Sequence, residues 1–544
     1  MPASTGTACR AGVGALSWAA PQKCLVYGAD ANEAARVAER LQFQHAEQGM
    51  ICFGTPIGTD QFVLDSIKQR ADGVVAEIER LMALPAPVTL QMKWRLLQAS
   101  LSVRMEHLKR TVPFELLRVS LQSVERELQD AAARVFQLPA DPAGNAACAP
   151  DVLEQLTLPL RHAGFGLRVT TADDADAALL SGVAAAEATM AAGHPSFRPL
   201  ADGSAVRASL LQRWHRLYDA YGERCGWLED GRDLPADFVR DWLPLAGHAV
   251  SRAVTDARGA ALLAGCDLED AAGEAKAARL RSSIGSAAGA WLTAMPVVPA
   301  TRLSDRDFRM RGRHQLGLGL ATAALQPPCT CVQGIASAPD HAMVCDHAKG
   351  DARLRHDYIT DVWCSYARKA MFAVSREPRY DALIGGHHLE ALVAAGQRRG
   401  DFTALVDGCI MVGDVVIGHP GAATYKRAAA RSNGATAKRL ATHKHSEWRR
   451  IGDGEGKRFV ALALETWGRH GDEALKLMSQ LGDSIEMNGG NKATFVRALR
   501  TELSCALTKG LGRMYAKTEL NVIRAAGQNF KLGHECVVSG HCDE

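Results

Sequence analysis

The sequence predicts a multi-domain protein, mostly α-helical, that closes with a smaller α/β domain. Three observations predict it. Apolar residues recur at helical spacing from Phe62 to about Val135, broken by Pro85, Pro87 and Pro113, and an Ala-rich helical region runs on to about Ala290. Apolar, β-branched runs suited to core strands gather instead between residues 399 and 465. The length of 544 residues is enough for three or four domains with real cores.

Composition narrows the function classes. With 63 Lys and Arg against 60 Asp and Glu, the net charge of +3 is too small to imply a polyanion partner by itself. Any nucleic-acid contact must come from local basic patches. Fourteen cysteines, mostly scattered singly, suggest a reducing compartment in which clustered Cys and His mean metal. The first twenty residues are small and apolar around Arg10 and lack the sustained Leu/Val/Ile run of a secretory leader. No segment approaches the ~18 uninterrupted apolar residues of a membrane span, so no membrane partner is expected.

In chain order, Lys23 to Tyr27 reads as a short strand, Asn32 to Glu47 as a helix, Gly49 to Phe53 as a strand, and Gly54-Thr55-Pro56-Ile57-Gly58 as a turn. The helical stretch from Phe62 follows, then a loop rich in Pro, Ala, Asp and Gly from Leu138 to about Asn145. Ser304, with Asp307 three residues on, reads as a helix N-cap. Cys329-Thr330-Cys331 is then followed, ten residues on, by His341-Ala342-Met343-Val344-Cys345. A Cys pair and a His-x-x-x-Cys corner are the two halves of a tetrahedral Cys₃His zinc site, because Zn²⁺ favours soft sulfur and nitrogen ligands. His347 and His356 are alternative nitrogen ligands.

The α/β domain carries the second cluster. Phe402 to Val406 and Cys409 to Ile417 flank Asp407-Gly408, the dipeptide of a two-residue hairpin turn. Pairing Val406 with Cys409 and counting outward sets Asp401 opposite Asp414. Cross-strand partners lie about 5 Å apart, where like charges need neutralising. A divalent cation such as Mg²⁺, bound by one or two carboxylates and completed by water and phosphate, would do so. The next segment, Tyr425 to Arg450, reads as a basic helix bearing Lys438, Arg439, Lys444, Arg449 and Arg450. An acid pair beside a basic helix suggests metal-dependent cleavage of phosphodiesters. The last core strand is expected from Phe459 to Glu465.

The Lys23-Cys24 strand and the Gly54 to Gly58 turn resemble the end of the palm in reverse transcriptases of non-LTR retrotransposons. Leu96 to Pro113 resembles the thumb that follows, and Leu158-Pro159-Leu160-Arg161 with Gly164 to Arg168 resembles the turn after it, with Ala163 in place of a glycine. The Tyr-x-Asp-Asp pair of the polymerase site is absent, so reverse transcription is not expected of this chain. A Cys-Cys-His-Cys knuckle before an acid pair and a basic helix is the arrangement in those retrotransposons that carry a restriction-enzyme-like endonuclease.

The resemblance implies a PD-(D/E)xK-type nuclease core in which Asp401 and Asp414 are the first and second acids. Glu377 matches an upstream acidic position. Val416 stands where the usual lysine would be. In this family the lysine lies on the following helix in a Lys-x-x-x-Tyr pattern, matched here by Lys444 and Trp448, with Lys438 as the fallback. Glu465-Thr466-Trp467-Gly468 resembles the family's "ETFG", and Gly400 replaces the usual proline before the first acid. The implied layout is a palm remnant at 1–65, a helical thumb-like region at 66–185, a helical linker at 186–325, a zinc knuckle at 326–360, the endonuclease at 361–475 and a helical extension and tail at 476–544. The implied cofactors are structural Zn²⁺ and catalytic Mg²⁺. The implied partners are target DNA and element RNA, in an intracellular, nuclear setting. The competing expectation is a decayed or co-opted protein that binds nucleic acid through the same parts without cutting it.

Gly452 to Lys457 has the wrong spacing for a phosphate loop. His387-His388 lacks a third ligand, and His534, Cys536, His541 and Cys542 fall in an expected tail.

Overall fold

The computed structural model describes residues 25–139, 149–193, 205–225, 243–319, 340–377, 400–406, 409–448 and 457–525, apart from positions 29 and 286. They form two compact units, each built from three stretches of chain. The described chain is mostly helical with a small C-terminal sheet. None of its helices is long and apolar enough to cross a membrane.

The first unit takes the chain up to Leu81, Ser100–Leu128 and Val169–Thr255. Strand β1 (Leu25–Val26) pairs in parallel with β2 (Gln44–His45) across the helix Ala31–Leu41, whose first amides are capped by Asp30. The expected helix to Glu47 stops early, because Gln42 turns left-handed (φ 56°) and its amide closes the last turn. β3 (Gly49–Cys52) and β4 (Thr55–Gly58) form an antiparallel hairpin. The expected Gly54 to Gly58 turn is therefore mostly strand. The reversal lies at Phe53 and Gly54, both at positive φ (49° and 81°). Helices Ala172–Gly193, Ala205–Cys225 and Leu243–Ala264 share a core of Leu180, Trp214, Leu217, Val250 and Val254. Buried Asp176 accepts ion pairs from Arg213 and Arg216, so its charge is compensated.

The second unit takes Met82–Ala99, Gln129–Arg168 and the chain from Asp256 on. Trp94, Phe136, Phe165, Trp291 and Phe308 form one aromatic cluster with centroids 5.0–6.2 Å apart. The turn after Leu158 is a 3-10 helix, Leu160–His162, closed by Ala163 in the left-handed conformation (φ 63°) that a glycine would adopt more easily. Ser304 caps the helix Asp305–Gln315 as expected, its hydroxyl accepting the Asp307 amide at 3.1 Å.

The C-terminal sheet has the order β5-β6-β7-β8: β5 (Val374–Arg376), β6 (Phe402–Val406), β7 (Cys409–Gly418) and β8 (Lys457–Glu465). β5, β6 and β7 are antiparallel neighbours, whereas β7 and β8 are parallel. A parallel pair needs a crossover. It contains α2 (Lys426–Arg431) and α3 (Ala435–Glu447). β7 has sheet neighbours on both sides and helices against it, which is why Met411 to Val415 are all buried. Helices α1 (Lys349–Lys369), α4 (Asp472–Met487) and α5 (Lys492–Ala525) complete this core, around Trp363, Phe402, Val415, Leu462, Leu464, Met478 and Leu503. Each such fully buried large side chain stabilises by about 1.5–3 kcal/mol relative to exposure.

The single basic helix expected from Tyr425 to Arg450 is two helices. Ser432-Asn433-Gly434 breaks it: Ser432 is extended and Gly434 sits at φ 73°. Arg449 and Arg450 lie outside the described residues, as do Lys23, Cys24, His387, His388, most of the 138–145 loop, residues 451–456 and the tail after 525.

Candidate functional site

The hairpin register is the one expected from Asp407-Gly408: Val406 pairs with Cys409 and Phe402 with Gly413. The turn dipeptide itself is outside the described residues. One step beyond the last pair in that register come Asp401 and Asp414, close enough that the Asp401 charge acts on Asp414. Gly413 makes the approach feasible, since a Cβ there would stand 2.5 Å from the Phe402 ring.

Asp401 accepts the Val415 amide through Oδ2 at 2.5 Å, one residue past the end of the β6 ladder. The same Oδ2 lies 3.1 Å from Nε2 of His356 on α1, and that nitrogen is also 3.0 Å from the Val415 carbonyl oxygen. Asp414 is buried and likewise uses Oδ2, which accepts from Nε1 of Trp448 at 2.6 Å and stands 3.2 Å from Nζ of Lys444. Lys444 also reaches Glu447 at 3.3 Å. Trp448 is buried and stacked on Phe459, so its indole is fixed. Neither Oδ1 has a hydrogen-bond partner among the described residues.

The electrostatics follow from this packing. Burial, then the nearby Asp401 charge, push the Asp414 carboxyl up to about 6, against the opposing pull of Lys444 and Trp448. For Lys444, burial favours the neutral amine, but Asp414 and Glu447 outweigh it and its pKa rises. For His356, burial likewise opposes protonation and Asp401 outweighs it, so the imidazole is held toward its protonated form.

Helix α3 presents Lys444 because both of its ends are tied to β8. At its start, the buried carboxylate of Glu465 accepts the Ala437 amide at 3.0 Å, satisfying a first-turn donor. Near its end, Glu473 bonds both His445 Nε2 (2.7 Å) and the Ala461 amide (3.0 Å). The helix lies close over the sheet: a Cβ on Gly418 would stand 2.4 Å from Leu440. Lys438 and Arg439 are on its exposed face, although Arg439 is already bonded to the Thr424 carbonyl at 2.9 Å and lies over the Tyr425 ring.

Glu377 is exposed, at φ 48°, with its amide on the Asp401 carbonyl at 2.9 Å. Its backbone is thus beside the acid pair. Cys329 and Cys331 fall outside the described residues, whereas His341 and Cys345 are buried at the start and just past the end of one short helix. Among the described residues no three His, Cys, Asp or Glu side chains are arranged to hold one metal ion. Mg²⁺ usually takes only one or two protein carboxylates, with the rest water and substrate. His356, considered as a zinc ligand from sequence, instead contacts Asp401. It was missed as a neighbour of the acids because 45 residues separate the two; its one local signal was a histidine on an otherwise ordinary helix.

No protein-family model matches the chain, and no curated protein matches it in sequence.

Proposed function

We propose that the second unit carries a Mg²⁺-dependent DNA endonuclease of the restriction-enzyme-like kind, belonging to a non-LTR retrotransposon-derived protein that nicks DNA and leaves a 3′-hydroxyl able to prime reverse transcription. One observation carries the reading. Two interacting carboxylates and an ammonium are brought together from the residue before β6, from β7 and from α3, with one oxygen of each carboxylate held by protein donors and the other oxygen without a partner among the described residues. A protein that only bound DNA would gain nothing from two carboxylates next to its basic helix, since they repel phosphate.

A bound Mg²⁺ would neutralise charge at the scissile phosphate and acidify a water. The chain's own groups supply the rest. Asp401 and Asp414 offer their Oδ1 atoms as ligands. Lys444, kept cationic by Asp414 and Glu447, orients the attacking water and stabilises the charge that builds on the pentacoordinate phosphorus. Lys438 on the exposed face of α3 contacts the DNA backbone. The Cys329, Cys331, His341 and Cys345 zinc knuckle belongs to the same reading, as do element RNA as a second partner and a nuclear location.

The second reading, a decayed binder, is favoured by Gly400 in place of proline and by the division of Lys444 between Asp414 and Glu447. Supercoiled plasmid incubated with the protein and Mg²⁺ separates the two. Nicking that disappears in Asp414→Ala supports the endonuclease; DNA binding without nicking above that control, in Mg²⁺ or Mn²⁺, overturns it.

A further inference from the structure

We infer that His356 is a positioning residue for the metal site: it holds Oδ2 of Asp401 and thereby sets the direction in which Oδ1 meets the ion. The inference rests on the reading above that Asp401 and Asp414 bind a divalent cation. An aspartate side chain has two rotatable bonds, and one hydrogen bond leaves it free to swing about the donor. Asp401 has two donors on a single oxygen, the Val415 amide at 2.5 Å from β7 and His356 Nε2 at 3.1 Å from α1. Donors from two different elements fix both torsions. The same Nε2–H is shared with the Val415 carbonyl at 3.0 Å, and His356 is itself held by its place on a 21-residue helix packed in the core.

Asp414 shows the same construction, with Trp448 and Lys444 on its Oδ2. The site thus has a rough symmetry in which each acid is anchored through one oxygen and presents the other. Lys444 sits among the reacting groups, whereas His356 contacts the acid from the helix side. It acts through Asp401. Hydrogen-bonding partners of metal-ligating carboxylates typically contribute 10–100-fold to metal affinity or activity.

The test uses the full chain and Mn²⁺ alone as the probe, with binding read from the loss of the aqueous Mn²⁺ paramagnetic resonance signal at fixed pH. His356→Leu, which keeps bulk and loses the donor, should weaken Mn²⁺ binding by about 10-fold or more. His356→Gln, whose amide can still donate at nearly the same reach, should stay within about threefold of wild type, while the shorter His356→Asn should behave like Leu. Thermal melts identify any variant that fails to fold; where Leu does, the Gln and Asn pair decides. Equal binding by Gln and Asn, or wild-type binding by a folded Leu variant, overturns the positioning role. A wild-type protein whose Mn²⁺ site is lost in Asp401→Ala but which never nicks DNA overturns the nuclease reading and leaves His356 to be judged by binding. If wild type and Asp401→Ala bind Mn²⁺ alike, both fall.

Discussion

Replacing Asp414 with asparagine should make the metal-free protein more stable at neutral pH, even though it destroys the proposed site. Burial first, and then the Asp401 charge, push the folded-state carboxyl up from 3.8 to about 6. At 1.36 kcal/mol per unit, keeping Asp414 ionised in the fold costs about 3 kcal/mol. The sign follows from proton counts. Between about pH 4 and 6 the folded chain holds a proton on Asp414 that the unfolded chain has released, so this group's contribution falls as pH rises through that window and levels off above it. Asparagine has the same shape, can accept from Trp448 and Lys444, and has no such dependence. In EDTA, denaturant melts of both proteins at pH 4.5, 5.5, 6.5 and 7.5 should show Asp414→Asn gaining on wild type by roughly 1 kcal/mol per pH unit up to about 6, then holding constant. Saturating Mg²⁺ should shrink the gap by stabilising only the wild type. A difference that is flat across pH, or that favours wild type at pH 7.5 without metal, would mean that burial does not penalise the Asp414 charge.

Other variants separate chemistry from binding and from folding. Lys444→Ala should lower nicking by about 100-fold or more with only a small loss of DNA affinity, because its charge is spent on the transition state; gel shifts and plasmid relaxation measure the two. Lys438→Ala should weaken DNA binding and lower the salt slope by about one unit without changing the cleavage rate at saturation. Arg439→Ala should do less, since that guanidinium is already engaged by Thr424 and Tyr425. Elemental analysis should find about one zinc per chain, reduced in Cys331→Ser and in Cys345→Ser; zinc-free protein from zinc-supplemented cells would argue against the knuckle. Glu465→Ala should cost about 1–2 kcal/mol by stripping the first turn of α3 of its acceptor, and should lower nicking by loosening Lys444.

The hairpin was legible because a two-residue Asp-Gly loop leaves one register, and one register fixes every cross-strand neighbour. Asp401 and Asp414 could be paired on sequence alone for that reason. Local rules also gave the Ser304 cap. They failed where the signal was read too coarsely. Ser432-Asn433-Gly434 is ordinary turn chemistry, yet the run of lysines and arginines around it masks the break and reads as one helix. The Gly and Pro of the Gly54 to Gly58 segment point to a turn there, while the reversal falls on Phe53 and Gly54, where a phenylalanine at φ 49° carries no composition signal. His356 was illegible for a different reason. Its partner is set by how α1 lies on the sheet, and no spacing rule connects a helix residue to a strand end 45 positions away.

In the proposed nuclease site, a lysine carried by a helix has a structural consequence. A lysine two residues after Asp414 on β7 would share that acid's face through strand periodicity alone, positioned by the ladder and needing little else. Val416 fills that place, so the cation arrives from α3 and its location depends on how the helix is held. The anchoring is correspondingly heavy. Buried Glu465 caps one end, Glu473 ties His445 near the other, Leu440 packs against Gly418, and Trp448 reaches past the helix to the Asp414 oxygen that Lys444 also approaches. Burying a carboxylate such as Glu465 is unfavourable in itself, as its raised pKa reflects. The compensation is that a first-turn amide of α3 has an acceptor and the start of the helix is tied to the end of β8. The position of Lys444 is therefore fixed by side-chain packing rather than by backbone pairing, and Lys444 is only as well placed as Glu465, Glu473 and Trp448 make it.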